Sequence, residues 1–226
     1  MWFDLLPIAL LGGVLGLDVV SFPQAMISRP LVAATLAGAL FGHIEGGLLV
    51  GATLELIALE TLPVGASRYP EWGSAATVGG ALYVSNGAHP AGALAVAVLA
   101  SLATAWIGGW TMVRLRHFNA RAAAVRRPAI DAGARGSVIG LQVLGLTADF
   151  VRAILLTIIA YAVFNPLAEA VLGLWTVEAR LSRAIVVAIA ATVGGAAVWK
   201  VFHAAQGARW LFIGGLAVGF ALMVMR

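Results

Sequence analysis

The sequence predicts an all-α polytopic membrane protein of about five to seven passes, with short or re-entrant hairpin segments near residues 31–84. Three observations predict it. The 226 residues are 62% hydrophobic and 11% charged, where soluble domains carry roughly 25% charged residues, and the mean hydropathy is +0.98. Apolar runs of helical length recur along the whole chain, and at roughly 20 residues per span they leave no room for a separate soluble domain. Arg114, Arg116, Arg121, Arg126, Arg127 and Arg135 crowd one connection against the single acid Asp131, the charge bias of a cytoplasmic loop.

The first pass is expected over residues 5–20, where Pro7 sits in the opening turn and its missing N–H does no harm. No basic n-region or small-residue cleavage site accompanies it, so a retained helix is expected rather than a signal peptide. The polar connection SFPQAMISR (21–29) leads through Pro30 into a short apolar segment, 31–41, closed by Gly42 and His43. A helix over 46–62 carries Glu55. A polar, aromatic loop over 63–73 and a second short segment over 74–84 follow, and these three apolar pieces are too short to span comfortably. Residues 85–89 (SNGAH) read as a turn and 90–113 as a full pass. The basic loop, 114–135, then separates a motif-bearing half, 1–113, from the C-terminal helices, 136–226, within one membrane-embedded domain. Further passes are expected over 151–164, 185–201 and 210–225, with 136–146 interfacial or lining the interior. If the basic loop is cytoplasmic, 165–180 is external and 200–209 internal. Trp106, Trp110, Trp175, Trp199 and Trp210 near helix ends fit an interfacial belt. Glycine numbers 27, about 12% against an average near 7%, and pairs such as Gly12-Gly13 and Gly79-Gly80 suit close helix packing.

Several chemistries are excluded or unsupported. Cysteine is absent, so there is no disulfide or thiolate chemistry. His43, His89, His117 and His203 lack metal-ligand spacing, no phosphate-cradling glycine loop is present, and no Ser–His–Asp pattern emerges. The net charge of +4 is concentrated in the basic connection and does not point to nucleic acid. No cofactor is expected.

Two costly features remain, and they adjoin. Glu55 lies in the middle of an apolar helical run, where a carboxylate costs roughly 2.5–3.5 kcal/mol and marks a functional site by default. The loop after it must line a cavity or an interface, because unpaired backbone polar groups are not tolerated in hydrocarbon. Glu55 can accept hydrogen bonds from hydroxyls, Ser67 and Arg68 add donors, and Tyr69 and Trp72 offer flat faces for stacking. That combination suits a sugar, which needs charge-assisted hydrogen bonds and an apolar platform. Asp18 and Gln24 flank the first connection and are candidates for the same cavity. A structural alternative stands beside each of these roles: Glu55 pairing with an arginine or capping backbone amides, and Asp18 closing a helix end.

The stretches SRPLVAATLAGALFG (28–42) and GGLLVGATLELIALETLPVGASRYPEWG (46–73) resemble the IIC subunit of the mannose/fructose/sorbose family of the bacterial phosphoenolpyruvate-dependent sugar phosphotransferase system. The match is strong over residues 18–80 and mostly hydropathic from residue 90. It implies a sugar-translocating permease subunit in the bacterial cytoplasmic (inner) membrane, working by alternating access with a IID membrane subunit. Cytoplasmic IIA and IIB proteins would carry phosphate on histidines and phosphorylate the entering hexose or amino sugar, so this chain would not itself be an enzyme. Oligomers of IIC–IID pairs are expected. By resemblance, Asp18, Gln24, Glu55, Ser67 and Arg68 are the substrate-binding positions. Two departures are visible: His43 follows Gly42 where relatives often carry aspartate, and the hydrophobic passes number one fewer than the family pattern. A non-transporting scaffold that recruits cytoplasmic proteins through the basic loop remains the competing class.

Overall fold

The computed structural model describes residues 2–61, 68–86 and 91–225. Eight helices and no strand occur among them: α1 (Trp2–Asp18), α2 (Pro30–Leu40), α3 (Ile44–Ala58), α4 (Trp72–Ser85), α5 (Ala93–Asp131), α6 (Arg135–Gly173), α7 (Ala179–Phe202) and α8 (Ala208–Val224). Three of them, α5, α6 and α7, are long and apolar enough to cross a membrane. By contrast α2, α3 and α4 have 11, 15 and 14 residues, roughly 16–22 Å at 1.5 Å per residue, short of a ~30 Å hydrocarbon core. The expected short segments are therefore present. Gly42, at φ +73°, makes the tight turn between α2 and α3, a conformation that residues with a Cβ rarely adopt.

Helix α4 is the centre of the bundle. Every residue from Trp72 to Val84 is buried, and α1, α2, α3, α5 and α6 all pack against it. Its sequence, WGSAATVGGALYVS, explains how five neighbours fit around one short helix: between Trp72 and Leu82 the side chains are small, so backbones approach closely. The buried hydroxyls are satisfied locally and across helices, with Thr77 Oγ1 donating to Gly73 O (2.8 Å) and Ser74 Oγ to Gly12 O (3.2 Å). A Cβ on Gly73 would lie 2.4 Å from Leu15 O and 2.6 Å from Leu15 C, backbone atoms that cannot swing away. Gly73→Ala is thus expected to destabilise the chain by about 1–3 kcal/mol, read as a lower melting temperature in detergent. Gly195→Ala on α7, which meets nothing within 4 Å, is the matched control and should melt like the parent.

The outer helices invert the usual pattern of a soluble core. Leu155, Ile159, Val163, Ile185, Ile189 and Phe220 are exposed, a surface made for lipid. In α8 only Ala208 is buried.

The basic connection differs from expectation. Residues 114–135 are not an irregular loop, because α5 continues to Asp131 and α6 starts at Arg135. Only 132–134 link them, with Gly133 at φ +78°. Alanine and arginine both favour helix, so the RAAAVRR run extends the membrane helix into water. Each of these helices has 39 residues, roughly 58 Å, well beyond the hydrocarbon thickness. The pass expected over 151–164 and the segment over 136–146 both belong to α6, which also takes in part of the expected connection 165–180. The pass expected from residue 90 begins at Ala93; residues 87–89 of the expected turn, with residue 90, lie outside the described residues.

Candidate functional site

The site is built where α1 ends and α2 begins. Asp18, 2% exposed at the end of α1, accepts hydrogen bonds from Ala25 N (2.6 Å, Oδ1) and Ser28 N (2.8 Å, Oδ2). These two bonds curl the connection back on the helix. Gln24 and Met26 take positive φ values of 58° and 62° within that curl, a region costly for residues with a Cβ. Gln24 Nε2 donates to Val20 O (2.7 Å). Ser21 Oγ donates to Asp149 of α6, which ties the connection to a second helix.

Arg29 caps α2 with an extended backbone, and Pro30 follows at the first helical position, where its fixed φ is favourable. Its guanidinium forms an ion pair with Glu55 of α3: Nε donates to Oε1 at 2.7 Å, and Nη2 reaches the same oxygen. Glu55 Oε2 accepts from Leu31 N (3.2 Å). The carboxylate that looked stranded in hydrocarbon thus has a cation on one oxygen and a helix N-terminus on the other.

A cavity of about 230 Å³ opens over this corner, and Asp18, Gln24, Arg29, Thr61, Tyr69 and Trp72 are among its lining. It is smaller than the ~300–1,000 Å³ of sites for drug-sized ligands, so it suits a small molecule. Trp72 is held by a hydrogen bond from Nε1 to Thr61 Oγ1 (3.4 Å). Tyr69 accepts from Arg116 Nη2 at 2.9 Å. Four sequence candidates therefore meet in one place: Asp18, Gln24, Tyr69 and Trp72. Glu55 stands behind Arg29 and does not line the cavity. Arg68 turns elsewhere, with Nη2 3.4 Å from Trp106 O and its guanidinium 5.1 Å from the Trp106 ring centroid. Ser67, with the rest of 62–67, lies outside the described residues.

Sequence reasoning assigned no role to two acidic or basic groups that matter here. Arg29 lines the cavity, and its signal was the Arg-Pro that opens α2. Glu71 is fully buried and caps α4, its Oε1 accepting from Ser74 N (3.0 Å). Glu71 Oε2 has no hydrogen-bond partner among the described residues, and an acid just before a small-residue helix is the N-cap signal that would have found it. Behind the connection, Asp149 and Arg152 form a buried pair at 2.8 Å, with side chains 1% and 9% exposed. At the opposite end of the α2–α3 hairpin, His43 opens onto a polar cleft of about 600 Å³ with Glu45, Tyr83 and Arg183. Glu45 supplies that cleft with a carboxylate.

Short buried helices around a small cavity, enclosed by long helices with exposed apolar faces, define an all-α integral membrane protein. The chain belongs to the sorbose-specific IIC component family of the phosphotransferase system, whose family model matches residues 2–225. It is 35% identical over 77 residues to the sorbose-specific EIIC component of Klebsiella pneumoniae (34% of this chain, 28% of that protein). It is 33% identical over 70 residues to the mannose-specific EIIC component of Escherichia coli K12 (31% and 26%). Over 75 residues it is 35% identical to the fructose permease IIC component of Bacillus subtilis (33% and 28%). These alignments span little more than a quarter of each relative. The fold is shared with a solved membrane protein (TM-score 0.76, 20% identity, 100% of this chain and 92% of that one). It is shared also with the mannose transporter ManYZ in complex with microcin E492 (TM-score 0.62, 19% identity, 97% and 87%).

Proposed function

We propose that the chain is a sugar-translocating permease subunit that binds a neutral hexose or amino sugar in the cavity between α1, α2 and α4. One observation carries the reading: a small cavity joins carboxylate, amide and guanidinium groups to two aromatic side chains, the set a carbohydrate requires. The short helices around it are of the kind that place substrate sites in transporters. The relatives' names, sorbose, mannose and fructose, bear on the substrate class.

On this reading the sugar crosses by alternating access, with a block of short helices moving against a scaffold completed by a IID subunit. IIA and IIB proteins phosphorylate the arriving sugar, and this chain binds without reacting. The single membrane domain sits in the bacterial inner membrane with its arginine-rich hairpin tip in the cytoplasm, in keeping with the positive-inside rule. Trp106 and Trp110 are exposed on α5, and Arg68 and Arg114 stack on them at 5.1 and 4.8 Å. Such pairs suit the depth of the lipid head groups on the hairpin side. Glu55 contributes to the proposed sugar path by supporting Arg29, while a substrate role for Ser67 and Arg68 rests on the family resemblance alone.

The test is sugar binding and uptake by Trp72→Ala. Mannose, fructose or sorbose should alter tryptophan fluorescence of the parent chain, and the variant should lose that response together with most uptake, about 10–200-fold for the loss of an aromatic contact. A parent chain that neither binds nor transports any sugar of a broad panel would sink the reading. The scaffold alternative draws on the complete engagement of Glu55 by Arg29 and Leu31; it forecasts that outcome together with retained capture of cytoplasmic proteins by the hairpin tip.

A further inference from the structure

We infer that Arg29 is the charged group that meets the ligand, and that Glu55 is a positioning residue which fixes Arg29 and cancels its charge, so that the cavity selects neutral sugars over phosphorylated ones. This rests on the sugar-binding reading above and adds to it which residue touches the sugar and which ligand is refused.

The geometry separates the two roles. Arg29 lines the cavity, whereas Glu55 does not, although each side chain is 24% exposed. Both Glu55 oxygens are occupied, Oε1 by Arg29 and Oε2 by Leu31 N. A guanidinium carries five N–H donors, and the contacts to Glu55 use one on Nε and one on Nη2. Three remain for a ligand. Arg29 is also fixed through its backbone, since its N–H donates to Met26 O (3.2 Å) and its carbonyl accepts from Val32 N and Ala33 N (2.9 Å each). The planar fork is therefore held at both ends before any sugar arrives, which lowers the entropy lost on binding.

The charge argument follows from the same contacts. Alone, a half-buried guanidinium beside an aromatic wall would favour a phosphate, because Arg recognises that group through two parallel bonds. Paired with Glu55 it presents N–H donors with little net charge. Asp18 adds a carboxylate to the same wall, and Arg116 meets that wall at Tyr69, donating to its hydroxyl and lying 5.2 Å from its ring centroid. A neutral polyol gains directed hydrogen bonds there; a sugar phosphate meets the Asp18 carboxylate and a cation whose charge Glu55 compensates from behind. A site of this kind releases a phosphorylated product rather than holding it.

The experiment compares the full-length chain in detergent with Arg29→Gln, Arg29→Lys, Glu55→Gln and the double variant Arg29→Gln/Glu55→Gln. Probes are mannose, fructose and sorbose, and mannose 6-phosphate and fructose 6-phosphate. Arg29→Gln should weaken sugar binding by at least about thirtyfold. Glu55→Gln should weaken it less and should tighten sugar-phosphate binding by about tenfold, since one compensating charge is gone. The double variant should match Arg29→Gln alone, because Glu55 acts only through Arg29. Arg29→Lys keeps the charge but not the fork and should fall between parent and Arg29→Gln, which separates ligand contact from folding. The inference is overturned if Glu55→Gln gains no phosphate affinity, or if the two losses add in the double variant, for then Glu55 touches the sugar itself. If the parent binds none of the three sugars, the permease reading fails; the gain of phosphate binding by Glu55→Gln still reads the Arg29–Glu55 relation on its own.

Discussion

Asp149→Leu is expected to destabilise the folded chain by about 3–5 kcal/mol, the loss that follows when one partner of a buried ion pair is removed. Arg152 has its side chain 9% exposed and meets Asp149 Oδ1 at 2.8 Å. Its other described bond is a weak one to Thr111 Oγ1 at 3.3 Å, and its Nη2 has no partner among the described residues. With the carboxylate gone, a guanidinium is left buried with one hydroxyl for company. The double variant Asp149→Leu/Arg152→Leu removes both charges and should recover most of the lost stability, since well-packed apolar residues often replace a buried pair without penalty. Thermal melts of the detergent-solubilised chain read both variants; a double variant as unstable as the single would show that the pair's worth is not electrostatic. The double variant should still lose sugar binding. Ser21 donates to Asp149 Oδ2, and the connection that bears Gln24 and Arg29 is released when that acceptor disappears.

The short helices were legible because their ends are chemically marked. Pro30 starts α2, Gly42 and His43 end it, and the small-residue run of α4 announces close packing. Charge bias, by contrast, reports which side of the membrane a segment occupies and says nothing of its backbone. The arginines at 114–135 therefore suggest a connection by charge alone, although alanine and arginine favour helix and no glycine interrupts them before Gly133. In the site, the cost of burying Glu55 could be read from its neighbours, but its partner could not. Arg29 lies 26 residues earlier in sequence, and only the folding of α2 back onto α3 brings them together. Glu71 escaped for a related reason: at a loop end in sequence it looks exposed, while α5 covers it, with Ala105 O accepting its backbone N–H at 2.9 Å.

Asp18→Asn should reduce sugar binding and uptake about tenfold for each 1.4 kcal/mol that the connection loses, while leaving the chain inserted in the membrane. Both oxygens of Asp18 accept backbone N–H groups, from Ala25 and from Ser28. Asparagine offers one oxygen and one NH₂ group, so one of the two amides would face a donor in a site only 2% exposed. Leaving a buried donor unpaired costs about 1–3 kcal/mol. The connection has little reserve against that loss, since Gln24 and Met26 hold left-handed backbone at φ 58° and 62°. Such conformations persist only where the surroundings over-determine them. Once one amide is freed, relaxation of these two residues moves Gln24 out of the cavity wall and loosens Arg29 at the start of α2. Hydrogen exchange tests the chain of causes directly: the amides of Ala25 and Ser28 should exchange faster in Asp18→Asn, while those of α4 stay protected. Slow exchange at both amides alongside a normal sugar response would mean that Asp18 does not clamp the connection, and that the cavity wall is held from α3 and α6 instead.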